Sequence, residues 1–214
     1  MSRILIVDDH VLIRAGVRRY LEHRFRDSKV VGEAESEDAA FNQAVKEKPD
    51  LVILDLTLTE GHGLSLLRRL RERFPSIKLL VYSGHPERVY AGPALQSGAD
   101  GYVMKNRDIG DLMDAVTRVL SGNRSFSTEV MTRILDGVTN RDSPIGMHTL
   151  TEMELRVFEL IATGLSNTEI ADELGYGNPA TINTHVRNIK QKLALKTTSE
   201  VRQFAVLWMY GDRN

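Results

Sequence analysis

The stretch LVILDLTLTEGHG, residues 51–63, decides the fold of the first half of this chain. Its first four residues are aliphatic and show no polar alternation, which is typical of a parallel strand covered on both faces. Asp55 follows them directly, and a carboxylate left unpaired in an apolar interior is costly. The stretch therefore predicts a buried strand that carries an acid to the edge of a sheet, where other groups compensate its charge.

Short apolar runs of the same kind recur through residues 1–121. With the stretch above, the runs are RILIV (3–7), KVVGEA (29–34), LVILD (51–55), KLLVYS (78–83) and GYVMK (101–105). Each run is followed by a segment with apolar residues three and four positions apart, which indicates a helix. These segments cover 10–25, 38–48, 63–74, 86–98 and 107–120. Strands alternating with helices predict an α/β domain over 1–121 with a doubly wound, five-stranded parallel sheet of flavodoxin-like type.

The strand signals stop after Gly122. Residues 127–138 predict one short helix. The stretch TNRDSPIG, residues 139–146, has the Asn, Asp, Ser, Pro and Gly content of a linker. We therefore expect a linker with a short helix over residues 122–148.

Every pattern from residue 149 to residue 214 is helical. The stretch LTEMELRVFELIATG opens with Thr151 in the N-cap position and Glu154 three residues later, which is the signature of a capping box. The stretches SNTEIADELG, ATINTHVRNIKQKL and TSEVRQFAVLWMYG supply three further helical patterns. The sequence thus predicts a small all-α domain over 149–214.

Composition excludes several classes of protein. The 214 residues include no cysteine, so disulfides, thiolate metal sites and cysteine nucleophiles are excluded. No apolar run approaches the length of a membrane span, and the N-terminal run is too short for a signal peptide. We expect a soluble cytoplasmic protein without a membrane segment. The net charge of −1 gives no sign of nucleic-acid binding for the chain as a whole.

Polar side chains end four of the five predicted strands. They are Asp8, Asp9, Asp55, Ser83 and Lys105. Any one of them alone is most simply a capping, turn or surface residue. In an open α/β sheet, however, the carboxyl ends of parallel strands share one edge, where ligands bind. We therefore expect these five side chains to meet there.

The chemistry of this group favours a phosphoryl site. Three carboxylates close together repel one another unless a cation intervenes, and oxygen ligands without histidine or cysteine suit Mg²⁺. Lys105 can neutralise the charge on an added group, and the hydroxyl of Ser83 can hydrogen-bond to it. A carboxylate, Asp55, can act as the attacking nucleophile, with catalysis by positioning and charge neutralisation.

The first domain resembles, over its whole length, the receiver domain of two-component response regulators. The matching motifs are VDDH, ILDLTL, VYSG and GADGYVMK. The resemblance implies that a sensor histidine kinase phosphorylates Asp55. It implies a Mg²⁺ site made by Asp8, Asp9, Asp55 and the backbone carbonyl of Thr57. Its implied phosphoryl contacts and switch residues are Ser83, Lys105 and Tyr102, with Tyr102 moving inward together with Ser83 on activation.

The resemblance also locates departures and modulating positions. Leu58 and Thr59 stand where relatives often carry Met-Pro, and His62 replaces a common Asp. The positions of Thr57 and His85 tend to influence the lifetime of the phosphorylated state in such receivers. None of the departures falls on the five chemical positions.

Charge is unevenly distributed in the helical domain. Residues 151–174 carry six acids and a single base, Arg156, whereas residues 181–202 carry five bases and one acid. The near-neutral total therefore conceals one basic helix, as a phosphate-binding face requires. The side chains predicted to contact DNA from this helix are Thr181, Asn183, Thr184, Arg187, Lys190 and Lys192.

This segment resembles the NarL/FixJ (LuxR-type) helix-turn-helix domain, from LTEMELRVFELIATGLSNTEIADEL through TINTHVRNIKQKL. Its turn GYGNPA carries one extra residue, and Asn183 stands where a lysine is common. Together the two resemblances imply a response regulator, not an enzyme, whose phosphorylation controls sequence-specific binding to double-stranded promoter DNA, as a homodimer when active.

Three alternatives stay open on the sequence alone. One is a magnesium-dependent aspartyl-phosphate phosphohydrolase, although Thr57 stands where such an enzyme needs a second acid. Another is a nucleotide-binding α/β protein, although neither a Gly-x-Gly-x-x-Gly nor a Walker motif follows the first strand. The last is a receiver whose helical domain binds protein instead of DNA.

Overall fold

A computed structural model of the chain describes residues 1–132 and 147–210. The chain divides into two compact units, one of Met1–Glu87 with Ala94–Thr128 and one of Arg88–Pro93 with Glu129–Asn214. The linker stretch at 139–146 and residues 133–138 of the predicted short helix lie outside the described residues. The predicted domain boundaries stay predictions.

The first unit contains a five-stranded parallel sheet, which confirms the predicted fold class. Its strands are β1 (Ser2–Val7), β2 (Ser28–Ala34), β3 (Leu51–Leu54), β4 (Lys78–Ser83) and β5 (Gly101–Met104). Their spatial order is β2-β1-β3-β4-β5. The chain order reverses between β1 and β3, and ligands of such sheets bind at this reversal.

Five helices follow the five strands along the chain, and residues 88–93 within the fourth helix belong to the second unit. The helices are α1 (Val11–Arg24), α2 (Glu37–Glu47), α3 (Gly63–Arg73), α4 (Glu87–Gln96) and α5 (Ile109–Leu120). The helices α1 and α5 contribute to one apolar cluster with alternate residues of the strands, and α2 and α3 contact each other. The sheet is thus covered on both faces, which is why all four residues of β3 are buried.

The register of the strands places the polar residues that follow them at the same height along the strand direction. Val7 pairs with Leu54, and Leu54 pairs with Val81. The amide of Asp55 donates to the carbonyl of Val7 at 2.8 Å, so the pairing of β1 with β3 continues one residue past the strand. The residues that follow the strands therefore emerge side by side at the carboxyl edge of the sheet.

The β3–α3 loop is tied to the start of α2 through Glu37. The carboxylate of Glu37 accepts hydrogen bonds from the amide of His62 at 2.9 Å, the hydroxyl of Ser65 at 2.9 Å and the guanidinium of Arg69 at 2.7 Å. Its own amide donates to the carbonyl of Glu60 at 3.0 Å. Burial raises the pKa of Glu37, but the hydrogen bonds from Arg69 and the His62 amide outweigh it, so the pKa lies below its ordinary value. The unusual loop sequence is thus held by a charged partner.

The secondary-structure elements that the structure describes in the second unit are all helices. Helix α6 begins at residue 128 and is described as far as residue 132. The other helices are α7 (Glu152–Ala162), α8 (Asn167–Glu173), α9 (Ala180–Lys192) and α10 (Thr198–Tyr210). A capping box opens α7 as predicted, and a second one opens α8. Among the described residues, no helix combines the length and apolar character needed to cross a membrane.

A buried ion pair joins α7 to α9. The side chain of Glu154 is 3% exposed, and its Oε2 accepts hydrogen bonds from the Thr151 amide at 2.8 Å and from Lys192 Nζ at 2.6 Å. Beside it, Phe158 packs against Phe204 of α10 with ring centroids 5.9 Å apart. Burial raises the pKa of Glu154, but the bonds from Lys192 and Thr151 outweigh it and hold the pKa below its ordinary value.

We predict that Glu154→Gln destabilises the helical unit. The change leaves the Lys192 ammonium without its counter-charge, and we expect a loss of about 1–3 kcal/mol, since Lys192 keeps some contact with water. Because the pKa of Glu154 is lowered in the fold, its contribution is present above the ordinary value of 4.5 and is lost as the pH falls through the folded pKa. Urea unfolding followed by the fluorescence of the single tryptophan, Trp208, measures it.

The matched control for this prediction is Glu169→Gln. Glu169 occupies the same capping-box position on α8, but its side chain is exposed and bonds only to Ser166 in the described contacts. We expect a smaller loss for it than for Glu154→Gln. Equal losses of unfolding free energy in the two variants would contradict the assigned role of the ion pair. So would a Glu154→Gln variant whose stability falls at acid pH as steeply as that of the unchanged protein.

Candidate functional site

The carboxyl edge of the sheet carries two buried carboxylates joined by one lysine. The side chains of Asp8 and Asp55 are each 3% exposed. Lys105 Nζ lies 2.7 Å from Asp8 Oδ2 and 2.6 Å from Asp55 Oδ2. Because β1, β3 and β5 deliver these residues, the site depends on the order of the strands and not on proximity along the chain.

Lys105 carries a positive charge in this site. Burial lowers the pKa of its ammonium, but hydrogen bonds to Asp55 and Asp8 outweigh burial, so the pKa lies above its ordinary value. The ammonium therefore screens the mutual repulsion of the two carboxylates. A lysine held in this way can also neutralise the charge of a group added to Asp55.

Ser83 completes the environment of Asp55. Its side chain is buried, and its hydroxyl donates to Asp55 Oδ1 at 2.6 Å. The two carboxylate oxygens of Asp55 thus have different partners, the Ser83 hydroxyl at Oδ1 and the Lys105 ammonium at Oδ2. Both partners are already within reach of oxygens that a phosphoryl group would bring.

Asp9 and His10 extend the site toward solvent. Ligand atoms of Asp8, Asp9, His10 and Asp55 all lie within 4.8 Å of one another. Asp9 Oδ1 is shielded from solvent and, among the described residues, accepts no well-aligned hydrogen bond, although His10 Nδ1 lies 2.6 Å away. Clustered carboxylate oxygens, one of which accepts no well-aligned hydrogen bond among the described residues, fit a hard cation such as Mg²⁺. The sequence did not predict the proximity of His10.

A histidine links the two loops that flank Asp55. His85 Nε2 and Thr57 Oγ1 lie 3.0 Å apart and share a hydrogen bond. The backbone carbonyl of His85 accepts a hydrogen bond from the phenol of Tyr102 at 2.9 Å. The side chain of Tyr102 is buried, and its predicted inward movement on activation stays a prediction. The sequence placed Thr57, His85 and Tyr102 near the site but did not predict these two bonds.

Gly63 allows α3 to start against the backbone that carries Asp55. A Cβ on Gly63 would lie 2.4 Å from the Cα of Leu56 and 2.8 Å from the carbonyl oxygen of Asp55. Both are main-chain atoms that a side chain cannot push aside, so any other residue would displace the backbone that carries Asp55. Sequence reasoning missed this positioning role, and the signal for it is a glycine that opens a helix shortly after the acid.

The second candidate surface is the outward face of α9. Asn183, Thr184 and Arg187 are exposed, while Thr181 and Lys190 are partly exposed. Residues at these intervals lie on one side of a helix, and on the opposite side are Ile182, Val186 and Ile189, which are buried in the core of the unit. The face is therefore open, has two bases and is free of acids.

Two of the predicted contact residues already have partners. Asn183 Oδ1 accepts a hydrogen bond from the amide of Asn167 in α8 at 2.6 Å. Lys192 lies in the ion pair with buried Glu154 described above. The structure thus brings Lys192 to the junction of α7 and α9, whereas the other predicted residues face outward or partly outward.

Both halves of the chain match known families. Residues 4–117 match the response regulator receiver domain, and residues 148–205 match the luxR family of bacterial regulatory proteins. The response regulator protein VraR of Staphylococcus epidermidis is 33% identical to this chain over 203 residues, covering 95% of each chain.

Solved structures of RcsB are similar over nearly the whole chain. One, of RcsB from Salmonella enterica serovar Typhimurium, is bound to promoter rprA in the presence of the phosphomimetic BeF3⁻. It is 25% identical, covers 97% of this chain and 98% of that chain, and has a TM-score of 0.63. In a second, two RcsB dimers are bound to two parallel DNAs. It is also 25% identical, covers 100% of this chain and 99% of that chain, and has a TM-score of 0.59.

We predict that Lys105→Met exposes the repulsion between Asp8 and Asp55. Without the ammonium, the free energy of unfolding should fall by about 1–3 kcal/mol, and added Mg²⁺ should stabilise the variant more than it stabilises the unchanged protein. Urea unfolding followed by circular dichroism, with a chelator and with saturating Mg²⁺, measures both effects. Lys78→Met, which alters a lysine at the opposite end of β4, is the control. Equal gains from Mg²⁺ in the two variants would contradict the prediction.

Proposed function

Because this chain belongs to the response regulators that join a receiver domain to a LuxR-type domain, we propose that phosphorylation of Asp55 by a sensor histidine kinase controls its binding to promoter DNA. One observation carries the proposal. A buried aspartate lies within hydrogen-bond distance of both a hydroxyl and an ammonium, Ser83 and Lys105, at the reversal point of the sheet.

The proposed chemistry is transfer of a phosphoryl group between two side chains. A carboxylate oxygen of Asp55 attacks the phosphorus of the kinase phosphohistidine; a P–O bond forms, the P–N bond breaks, and the electron pair stays on the imidazole. Lys105 and Ser83 then contact oxygens of the phosphoryl group in place of the carboxylate. Asp8, Asp9, Asp55 and the carbonyl of Thr57 would hold Mg²⁺, which would neutralise negative charge at the transferred group.

We further propose that the positions of Tyr102 and His85 depend on whether Asp55 is phosphorylated. Ser83, bound to Asp55, lies two residues before His85, whose carbonyl binds the phenol of Tyr102. A phosphoryl group that engages Ser83 would favour this arrangement of the β4–α4 loop over others. The buried position of Tyr102 supports this role, because the phenol is already bonded to that loop.

For the output we propose that α9 enters the major groove. Asn183 and Thr184 would reach base edges, and Thr181, Arg187 and Lys190 would contact phosphates or bases near them. Lys192 stays a proposed contact, but its ammonium would first have to leave Glu154. The DNA-bound dimers of RcsB support a homodimer of this chain on paired half-sites.

We place the chain in the cytoplasm, where the chromosome lies, and we assign it no sustained catalytic turnover. A phosphohydrolase would release phosphate from a small phosphoester many times per chain. A response regulator would instead incorporate at most one phosphoryl group per chain, at Asp55. Counting the phosphate released and bound per chain separates the two functions.

We predict that BeF3⁻ with Mg²⁺ raises the affinity for genomic promoter fragments by about 5- to 150-fold, the usual range for coupling between two sites. Quantitative footprinting measures the gain. Asp55→Ala removes the carboxylate that BeF3⁻ must bind, so its affinity should be low and indifferent to BeF3⁻. A tight and specific complex that is the same with Asp55→Ala and without BeF3⁻ would rule out control by phosphorylation.

We also predict that Arg187→Ala and Lys190→Ala weaken DNA binding and its dependence on salt. Each lost phosphate contact should reduce the slope of log K against log salt by about 0.9. Arg156→Ala is the matched control, because it removes the same charge from α7 of the same unit. If Arg156→Ala lowered the slope as much as Arg187→Ala, net charge and not the α9 face would account for binding.

A further inference from the structure

The segment that follows α5 adds itself to the edge of the sheet. β5 is an edge strand, and Gly101 forms a parallel bridge with Ser125. The amide of Ser125 donates to the carbonyl of Asp100 at 2.9 Å, and the amide of Tyr102 donates to the carbonyl of Ser125 at 2.8 Å. Ser125 is buried in this position. We call residues 123–127 the latch segment.

The sequence of β5 is adapted to the latch segment. A Cβ on Gly101 would lie 2.8 Å from the carbonyl oxygen of Ser125, 3.1 Å from the Cβ of Ser125 and 2.9 Å from Leu80 Cδ1. The first of these contacts is with main chain and is closer than real Cβ atoms approach. A strand interior normally disfavours glycine, and close approach of another backbone is a recognised reason to find one there. Gly101 therefore marks a place built to accept the segment.

The latch segment is also tied to the loop beside the phosphorylation site. The amide of Ser127 donates to Glu87 Oε1 at 2.8 Å. Glu87 lies two residues after His85, which bonds to the phenol of Tyr102 through its carbonyl and to Thr57 through its ring. Tyr102 thus holds the β4–α4 loop with its side chain and the latch segment with its backbone.

We propose that the state of Asp55 controls the closure of the latch segment on β5. This inference rests on the proposed function. A phosphoryl group on Asp55 engages Ser83 and so stabilises the arrangement of the β4–α4 loop described above, in which Glu87 accepts the hydrogen bond from the amide of Ser127. The hydrogen bonds described above, between Ser125 and both Asp100 and Tyr102 and between Ser127 and Glu87, can open while the five main strands stay folded.

Closure shortens the chain that tethers the helical unit. Releasing residues 123–127 would add roughly 17 Å to the fully extended reach of the linker. In a dimer, a shorter tether confines the two helical units to a smaller volume and raises their effective concentration on paired half-sites. Closure of the latch segment on phosphorylation therefore raises DNA affinity without any new contact to DNA.

The first test measures hydrogen exchange of single amides in the full-length protein by NMR. In the unchanged protein, BeF3⁻ with Mg²⁺ should slow exchange of the Ser127 amide by about three- to tenfold, the worth of one hydrogen bond. Glu87→Ala should abolish that slowing, and Glu87→Gln, which keeps an acceptor oxygen, should retain it. Exchange at Ser127 that does not respond to BeF3⁻ in the unchanged protein overturns the latch.

A second variant opens the latch from the side of the sheet. Gly101→Ala should speed exchange of the Tyr102 and Ser125 amides by about three- to tenfold and leave β1 and β3 protected. Gly16→Ala is the matched control, because a Cβ there meets nothing within 4 Å. If Gly101→Ala does not fold, the two Glu87 variants carry the test. Exchange equal to that of the unchanged protein in a folded Gly101→Ala overturns the latch.

Footprinting on the same variants separates this inference from the function on which it rests. The gain in DNA affinity from BeF3⁻ should be several-fold smaller in Glu87→Ala and Gly101→Ala than in the unchanged protein, Glu87→Gln and Gly16→Ala. An undiminished gain in both open variants overturns the latch and leaves phosphorylation control intact. BeF3⁻ could instead slow exchange at Ser127 in the unchanged protein without raising its DNA affinity. That result overturns phosphorylation control of DNA binding and leaves closure of the latch segment intact.

Discussion

The salt bridge from Lys105 to both Asp8 and Asp55 is the interaction on which the receiver unit depends. Its ammonium lies 2.7 Å and 2.6 Å from the two carboxylates, which are nearly inaccessible to water. Two buried carboxylates without a cation would repel each other and lose their hydration. The sheet therefore brings three strand ends to one level, and the same arrangement that stabilises the unphosphorylated site provides the charge that a phosphoryl group needs.

The groups around Asp55 are also the groups that hold the neighbouring loops. Ser83 bonds to Asp55, and two residues later His85 bonds to Thr57 in one loop and to Tyr102 in β5. Glu37 fixes the β3–α3 loop through the amide of His62. A change in charge at Asp55 consequently acts on a connected set of hydrogen bonds, which gives a small chemical event the means to bias a larger segment.

The helical unit uses a buried charge pair in a comparable way. Glu154 caps the start of α7 and at the same time binds Lys192 near the end of α9. The ion pair fixes the helix that presents Arg187 to solvent. The sequence predicts Lys192 as one more base on the DNA-binding face, and that prediction stays open. Charge counted along a helix does not reveal that the Lys192 ammonium also has a buried partner 38 residues away.

The sequence by itself determined the elements and the chemical identity of the site. Apolar runs and helical periodicity predicted the parallel sheet, and the carboxyl ends of its strands predicted that Asp8, Asp55, Ser83 and Lys105 would meet. These inferences succeed because the hydrophobic pattern of a strand or helix is set by residues that are neighbours in the sequence. They also rest on the carboxyl ends of parallel strands lying at a common edge of the sheet. Only the tertiary structure decided the partners of Glu37 and Lys192 and the pairing of Ser125 with β5. Those contacts join residues far apart in the chain, and their geometry depends on how close the backbones approach after packing.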